Sequence, residues 1–303
     1  MSTESLPESR KVKSTTGDKV FATFAHAVLI LWAVLVVGPL LWTFMTSFKT
    51  SSEIFSSALA LPKELMKDGR IFENYVSAWS QGNFGVYFYN SVVVVTFALF
   101  FVMLLGAMCA YVLARFSFKG SQIIYYLMLA GLTFPIFLAI VPLYQVLKVL
   151  PLPWAPNGVM LGTHEGLILT YVAFALPFTV FFLYAFFKTL PNEIYEAAQV
   201  DGAGEWTTFF RIMLPMAKPG LASVAIFNFL GLWNQYLLPV ALNPQEPMYV
   251  LSQGIARFAS QMGYNVDFGA LFAAVIITVV PVLIVYVIFQ RQLQGSVQQG
   301  TMK

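Results

Sequence analysis

The chain has 303 residues, 58% of them hydrophobic and only 10% charged, with a formal net charge of +3, whereas an average soluble domain is roughly 25% charged. That composition excludes a soluble globular domain and describes a membrane protein. The small positive charge carries no implication of nucleic acid, because the basic residues sit where membrane orientation requires them. The single cysteine, Cys109, can build neither an intrachain disulfide nor a thiolate metal site.

Six runs lack Asp, Glu, Lys and Arg altogether: residues 21–44, 91–114, 123–147, 167–187, 221–242 and 268–289. Each is long enough to cross a hydrocarbon core, which takes about 20 apolar residues. A charge at the bilayer centre costs about 2.5 to 3.5 kcal/mol on insertion scales, so this partition predicts six transmembrane helices. Alternating polar and apolar residues of the porin kind are absent, and a barrel is excluded. With the amino terminus in the cytoplasm, eleven Lys and Arg residues lie inside and six outside. The positive-inside bias therefore puts both termini in the cytoplasm.

Residues 1–20 read as a polar tail and 291–303 as a second one, flanking a transmembrane domain over 21–290. The first run, at 24 residues, exceeds the roughly 7 to 15 of a cleaved signal and reads as an uncleaved helix. The loop 45–90 carries Phe72, Tyr75, Trp79, Phe84, Tyr87 and Phe88, which predicts short helices covering the outer interface, where aromatic rings prefer to lie. In the second run Gly106, Ala110 and Ala114 recur every four residues and offer one helix face for close packing. Pro39, Pro135, Pro142, Pro177, Pro239 and Pro281 interrupt five of the six runs, and each is expected to bend its helix. His26 and His164 stand in no ligand-like spacing and read as satisfied structural residues; no metal site is expected.

The fifth run is the most polar, with Asn228, Trp233, Asn234, Gln235 and Tyr236. In a continuous helix Asn228 and Gln235 share a face. Carboxamides in lipid either bond to another helix or line a watery path, and both readings stand. Tyr144 and Gln145 of the third run complete the candidates for such a path.

Between the fourth and fifth runs lies an insert, residues 189–219, that carries a helix pattern of its own. Pro191 suits a first helical turn, and Glu193 and Glu196 place negative charge at its positive end. Ile194, Ala197 and Ala198 make a narrow apolar face of small side chains. Gly202 is fit to end that helix in the left-handed conformation. A second short helix follows with Phe209, Ile212 and Met213 as its stripe, stopped by Pro215 and Pro219. Four acidic residues, Glu193, Glu196, Asp201 and Glu205, would meet anionic lipid unfavourably, so the face suits a protein partner. The chain contains no Gly-Lys dipeptide and hence no P-loop, so ATP cannot be cradled here in that way. No nucleophile and base pair is found, and no enzymatic activity is expected.

Glu196-Ala197-Ala198, then Asp201-Gly202-Ala203, then Ile212, Leu214-Pro215 and Pro219 resemble the EAA loop of permease subunits in binding-protein-dependent ABC importers. The stretch from Phe134-Pro135 through Pro142-Leu143-Tyr144 to Trp233-Asn234-Gln235-Tyr236-Leu237-Leu238-Pro239 resembles the carbohydrate-uptake branch, the six-span partner subunit of maltose-type systems. Tyr195 stands where many relatives carry Glu, and Gly295 to Lys303 matches the glycine-rich tail of that subunit only loosely. The resemblance implies the type I importer permease fold, all-α, with a cytoplasmic coupling helix. Its coupling residues would be Glu193, Glu196, Ala197, Ala198, Asp201, Gly202, Ala203, Leu214 and Pro215. It also implies a heterodimer with a second permease, two ATPase subunits that hold ATP and Mg, and an extracytoplasmic sugar-binding protein, all at a bacterial cytoplasmic membrane. Glycerol phosphate or a polyol is the nearer alternative solute. A gradient-driven carrier is the more distant one, since no ionisable residue lies inside a span and no inverted repeat appears.

Overall fold

The computed structural model describes residues 16–80, 82–261 and 267–300, with side chains described up to residue 290. Most of the amino-terminal tail and the last three residues, expected as cytoplasmic tails, lie outside the described residues. Described residues of both expected tails are helical: α1 (Thr16–Thr46) begins inside the first, and α14 (Phe268–Gly300) runs on into the second.

The runs 21–44, 91–114, 167–187 and 268–289 each lie within one helix, namely α1, α5 (Phe84–Arg115), α8 (His164–Thr189) and α14. The loop after α1 folds into three short helices, α2 (Ser51–Ser56), α3 (Glu64–Lys67) and α4 (Glu73–Ser80). They are locked by buried polar groups. Lys49 Nζ donates to the carbonyls of Ser57 and Ala58 at 2.9 Å each, and Asn74 Nδ2 donates to Ser47 O and Lys49 O at 2.8 Å.

The third and fifth runs are not single helices. Residue 134 precedes a proline, whose ring disfavours the helical region for its neighbour. Phe134 is accordingly extended, with ψ 119°, and α6 (Ser121–Thr133) meets α7 (Ile136–Val149) at 106°. The fifth run breaks for another reason. Helix α11 (Lys218–Trp233) stops where Asn234 Nδ2 donates to Leu230 O at 2.9 Å, and Gln235 Oε1 accepts the N–H of Leu237 at 3.2 Å to open α12 (Leu237–Leu242). Short amide side chains compete with the backbone for its own partners, and two in succession end the helix. Pro39, Pro142, Pro177, Pro239 and Pro281, by contrast, all sit inside helices.

Helix α5 is the spine. It packs most extensively on α8, with α6, α11 and α14 around them. The small-residue face has a concrete partner: a Cβ on Gly106 would lie 2.4 Å from Thr179 Cγ2 of α8, a separation side chains do not tolerate. One apolar core gathers at the amino end of α5 around Phe84, Val94, Tyr171, Trp233 and Leu251; a second gathers at its carboxyl end around Ala110, Tyr111, Phe187, Phe209 and Met213. Helix α1 stands apart: Thr46 is its one buried residue.

Candidate functional site

The insert folds as two helices on the carboxyl end of α5. Pro191 sits one position before the first turn of α9 (Asn192–Val200), without a capping hydrogen bond. The helix ends in a Schellman motif: Gly202 N donates to Gln199 O at 3.0 Å and Ala203 N to Ala198 O at 2.9 Å, with Gly202 at φ +76°. No atom lies within 4 Å of a Cβ built on Gly202, so its requirement for glycine is one of backbone conformation and not of space.

The expected apolar face is divided. Ala198 is buried and Ile194 half-buried against the protein, while Ala197 is exposed. Glu193, Glu196, Ala197, Val200 and Asp201 form the exposed stripe, at positions i, i+3, i+4, i+7 and i+8 of the helix. Val200 is 88% exposed, the most open large apolar side chain in the chain's described part. Three carboxylates around two small apolar side chains make this exposed face acidic and shallow.

Tyr195 is not on that face. It is half-buried, donates its hydroxyl to Glu205 Oε1 at 3.0 Å, and meets the Phe116 ring edge-on at 6.1 Å. Gln199 Nε2 donates to the same carboxylate oxygen at 3.3 Å. Burial and the neighbouring Glu205 carboxylate both raise the Tyr195 phenol above its ordinary value.

The second helix, α10 (Glu205–Met216), does not stop at Pro215. Residues Thr208–Met213 wind as a π-turn, with the Leu214 N–H bonding Phe209 O five residues back. Widening the turn lets the helix carry Pro215 without a clash against the residue four before it. It ends at Ala217, bends by 77°, and α11 begins with Pro219 in its first turn. Leu214 is half-buried and Pro215 exposed.

The path candidates divide as well. Asn228 is 5% exposed and donates to Thr179 Oγ1 at 2.7 Å, on the face where α11 crosses α8. Trp233 is buried and donates to Thr278 O at 3.1 Å. Gln235 is spent on Leu237 N, and its carbonyl accepts from Ser252 Oγ at 2.7 Å. All three make bonds within the fold, and the helix break removes any face shared by Asn228 and Gln235. Asn234, Tyr236 and Gln145 are exposed, and Tyr144 is half-buried against the core.

A groove of about 1030 Å³ lies between α5, α11 and α14, lined by Phe88, Leu99, Phe229, Trp233, Ile277 and Pro281 among others. Its wall is almost wholly hydrocarbon and lacks the convergent polar groups a hydroxyl-rich solute needs. Among the described residues no group of His, Cys, Asp and Glu could hold a metal. His26 Nδ1 lies 2.6 Å from Ala22 O, but His164 Nε2 is buried without a partner, so the reading of His164 as satisfied is corrected.

Two features escape sequence reasoning. At the insert end, Arg115 bonds residues 72 to 77 positions away. At the opposite end, Asn90 Nδ2 donates to Pro247 O and Tyr249 O at 2.9 Å each, and Ser91 Oγ accepts from Leu251 N at 2.8 Å. In the sequence Arg115 signals only topology, and Asn90 is one polar residue beside an apolar run.

A helical bundle with two broken spans and a capped acidic helix projecting from one end is the architecture of an importer permease. It superposes on a bacterial ABC transporter involved in the import of the acidic polysaccharide alginate, with a TM-score of 0.75 over 93% of this chain and 99% of that one at 17% identity. A bacterial alginate ABC transporter in complex with an alginate pentasaccharide-bound periplasmic protein shares the fold at a TM-score of 0.65, over 90% and 93% of the two chains at 18% identity. The chain belongs to the family described as binding-protein-dependent transport system inner membrane component, whose model matches residues 102–299. It is 60% identical over 290 residues, 96% of this chain and 92% of the relative, to the diacetylchitobiose uptake system permease protein of Streptomyces coelicolor. It is 31% identical, over 94% and 99% of the two chains, to the multiple sugar-binding transport system permease protein of Streptococcus mutans. A trehalose transport system permease protein of Mycobacterium tuberculosis is 30% identical over 90% and 97%.

Proposed function

We propose that this chain is one of two different permeases in an ATP-driven importer of an oligosaccharide, with a β-linked disaccharide of N-acetylglucosamine as the first solute to test. The observation that carries the ATP-driven reading is the acidic stripe of α9, fixed on a Schellman-capped helix in a chain that has no P-loop of its own. The relatives' sugar names support the solute class, and the 60% identity of the diacetylchitobiose relative supports the particular disaccharide. In this reading both termini and the insert face the cytoplasm, where α9 sits in a cleft of a separate ATPase subunit that binds ATP and Mg. A sugar-charged binding protein docks at the opposite face, a reading supported by the alginate transporter that shares this fold and holds a pentasaccharide-bound periplasmic protein.

Closure of the ATPase pair moves α9 as a rigid element, and the bundle follows. The solute passes along the exposed side of the fifth span, by Asn234 and Tyr236, and by the exposed Gln145 of α7, the helix that α12 packs against. Irregular backbone at membrane depth is tolerated where it lines water or is covered by protein, which favours the 234–236 break as the polar part of that path. The test is reconstitution of the four-subunit complex in proteoliposomes. Uptake of the disaccharide should require ATP inside and the charged binding protein outside. Uptake that survives ATP depletion and collapses with the proton or sodium gradient would overturn the reading in favour of a secondary carrier.

A further inference from the structure

Three helices end or begin within reach of one side chain, Arg115, and the role assigned to it below rests on the ATP-driven reading above. Arg115 is the last residue of α5; its Nη2 donates to Phe187 O at 2.9 Å and Leu190 O at 2.8 Å, and its Nη1 donates to Asn192 Oδ1. The acceptors are the last turn of α8, the residue that follows it, and the first residue of α9. Between α8 and α9 the backbone is only Leu190-Pro191 in extended conformation, which transmits tension poorly in any direction but its own. Arg115 bridges that gap.

The chemistry of the site suits a tie. A planar guanidinium can meet several acceptors at fixed angles, whereas an ammonium acts as a point charge. A cation beside the carbonyls that end α8 is also favoured by the helix dipole. Among the described residues no carboxylate pairs with Arg115, and its Nε is buried without a partner. The bonds therefore go to backbone and amide oxygens that move with their helices. One turn earlier, Tyr111 packs against Phe187 at 5.7 Å and Phe209 at 5.0 Å, so the same end of α5 touches both α8 and α10.

We infer that Arg115 is a positioning residue through which displacement of α9 is passed to α5 and α8. The insert then has two outputs. One runs through α10 and the bend at Ala217 into α11; the other runs through Arg115 into the α5–α8 pair, the most extensive packing in the bundle.

The test uses the whole complex in proteoliposomes and reads solute imported per ATP hydrolysed. Arg115→Gln keeps a planar amide but loses the charge and the reach of the guanidinium, Arg115→Lys keeps the charge and a donor but not the planar fork, and Asn192→Ala removes one acceptor. Complex recovered per membrane should stay near wild type. The coupling ratio should fall about tenfold in Arg115→Gln, a typical coupling magnitude, by less in Arg115→Lys, and least in Asn192→Ala. A residue that merely held the fold would lower the amount of complex and leave the ratio untouched. An unchanged ratio in Arg115→Lys and Asn192→Ala, with wild type importing normally, overturns the inference even if Arg115→Gln fails to assemble. A wild-type complex without ATP-dependent uptake overturns the functional reading instead.

Discussion

The two ends of α5 are fastened in opposite styles. At the amino end Asn90 and Tyr87 reach the segment between α12 and α13 (Leu251–Gln261), Ser91 reaches the first residue of α13, and every bond but one is between uncharged groups. Gln253 extends this net by donating to Pro239 O and Asn243 O at 3.1 and 2.9 Å. Gly254 brings α13 so close that a Cβ there would lie 2.3 Å from the Tyr87 ring. At the carboxyl end a single cation gathers its acceptors, and the neighbouring Tyr111 hydroxyl and Arg115 Nε are left without partners. Redundant bonding, with Asn243 Oδ1 left over in that net, makes a fixed end. Sparse bonding with spare polar groups makes a joint.

The comparison breaks most readily at Asn90. Replacing it with Leu strands two carbonyls that now share its amide, and each buried unsatisfied group costs about 1–3 kcal/mol. The expected result is a thermal unfolding midpoint lowered by several degrees with the import-to-ATP ratio of the surviving complex unchanged. Gly202→Val should show the converse. A β-branched residue in the left-handed region costs about 1–2 kcal/mol, so folding survives, while the end of α9 is re-aimed and uptake falls at least tenfold. Sugar binding by the soluble receptor should be intact, and retained uptake would remove α9 from the coupling path.

The finest test separates the two sides by pH. Burial works to raise the Glu53 carboxyl, but the amides of Glu64, Lys63 and Thr50 outweigh it and hold it below its ordinary 4.5. Its contribution is present above 4.5 and is lost as pH falls through the lower folded value. Tyr195 is shifted upward from 10.0, so its contribution is present below 10.0 and is lost as pH rises through the higher folded value. Hydrogen exchange should therefore open the α2–α3 loop first in acid and the α9–α10 contact first in alkali.

The insert is legible because its signals are local: a proline before α9, carboxylates in and near its first turn, and a glycine at its end all fall between residues 191 and 202. The break in the fifth span is not, because hydropathy gives the same score to an amide that bonds its own backbone and one that faces water. Asn228 illustrates the limit. Its alternatives, helix bonding or path lining, stay open until the fold brings Thr179, 49 positions upstream, to 2.7 Å. Gly106 is legible as a close-packing position, but only the fold supplies α8 as its partner. The stop expected of Pro215 and Pro219 falls between them, at Ala217, because a π-turn carries Pro215 inside α10, and no composition signal announces a π-turn.

Ending α11 at Trp233 also sets a length. Sixteen residues measure about 24 Å as an α-helix, against roughly 30 Å of hydrocarbon. The shortfall has to be met by water, lipid adjustment or protein on that side of the chain. Asn234 and Tyr236 are exposed where the helix runs out, so along the proposed path they would shorten the distance a polar solute crosses without its hydration shell.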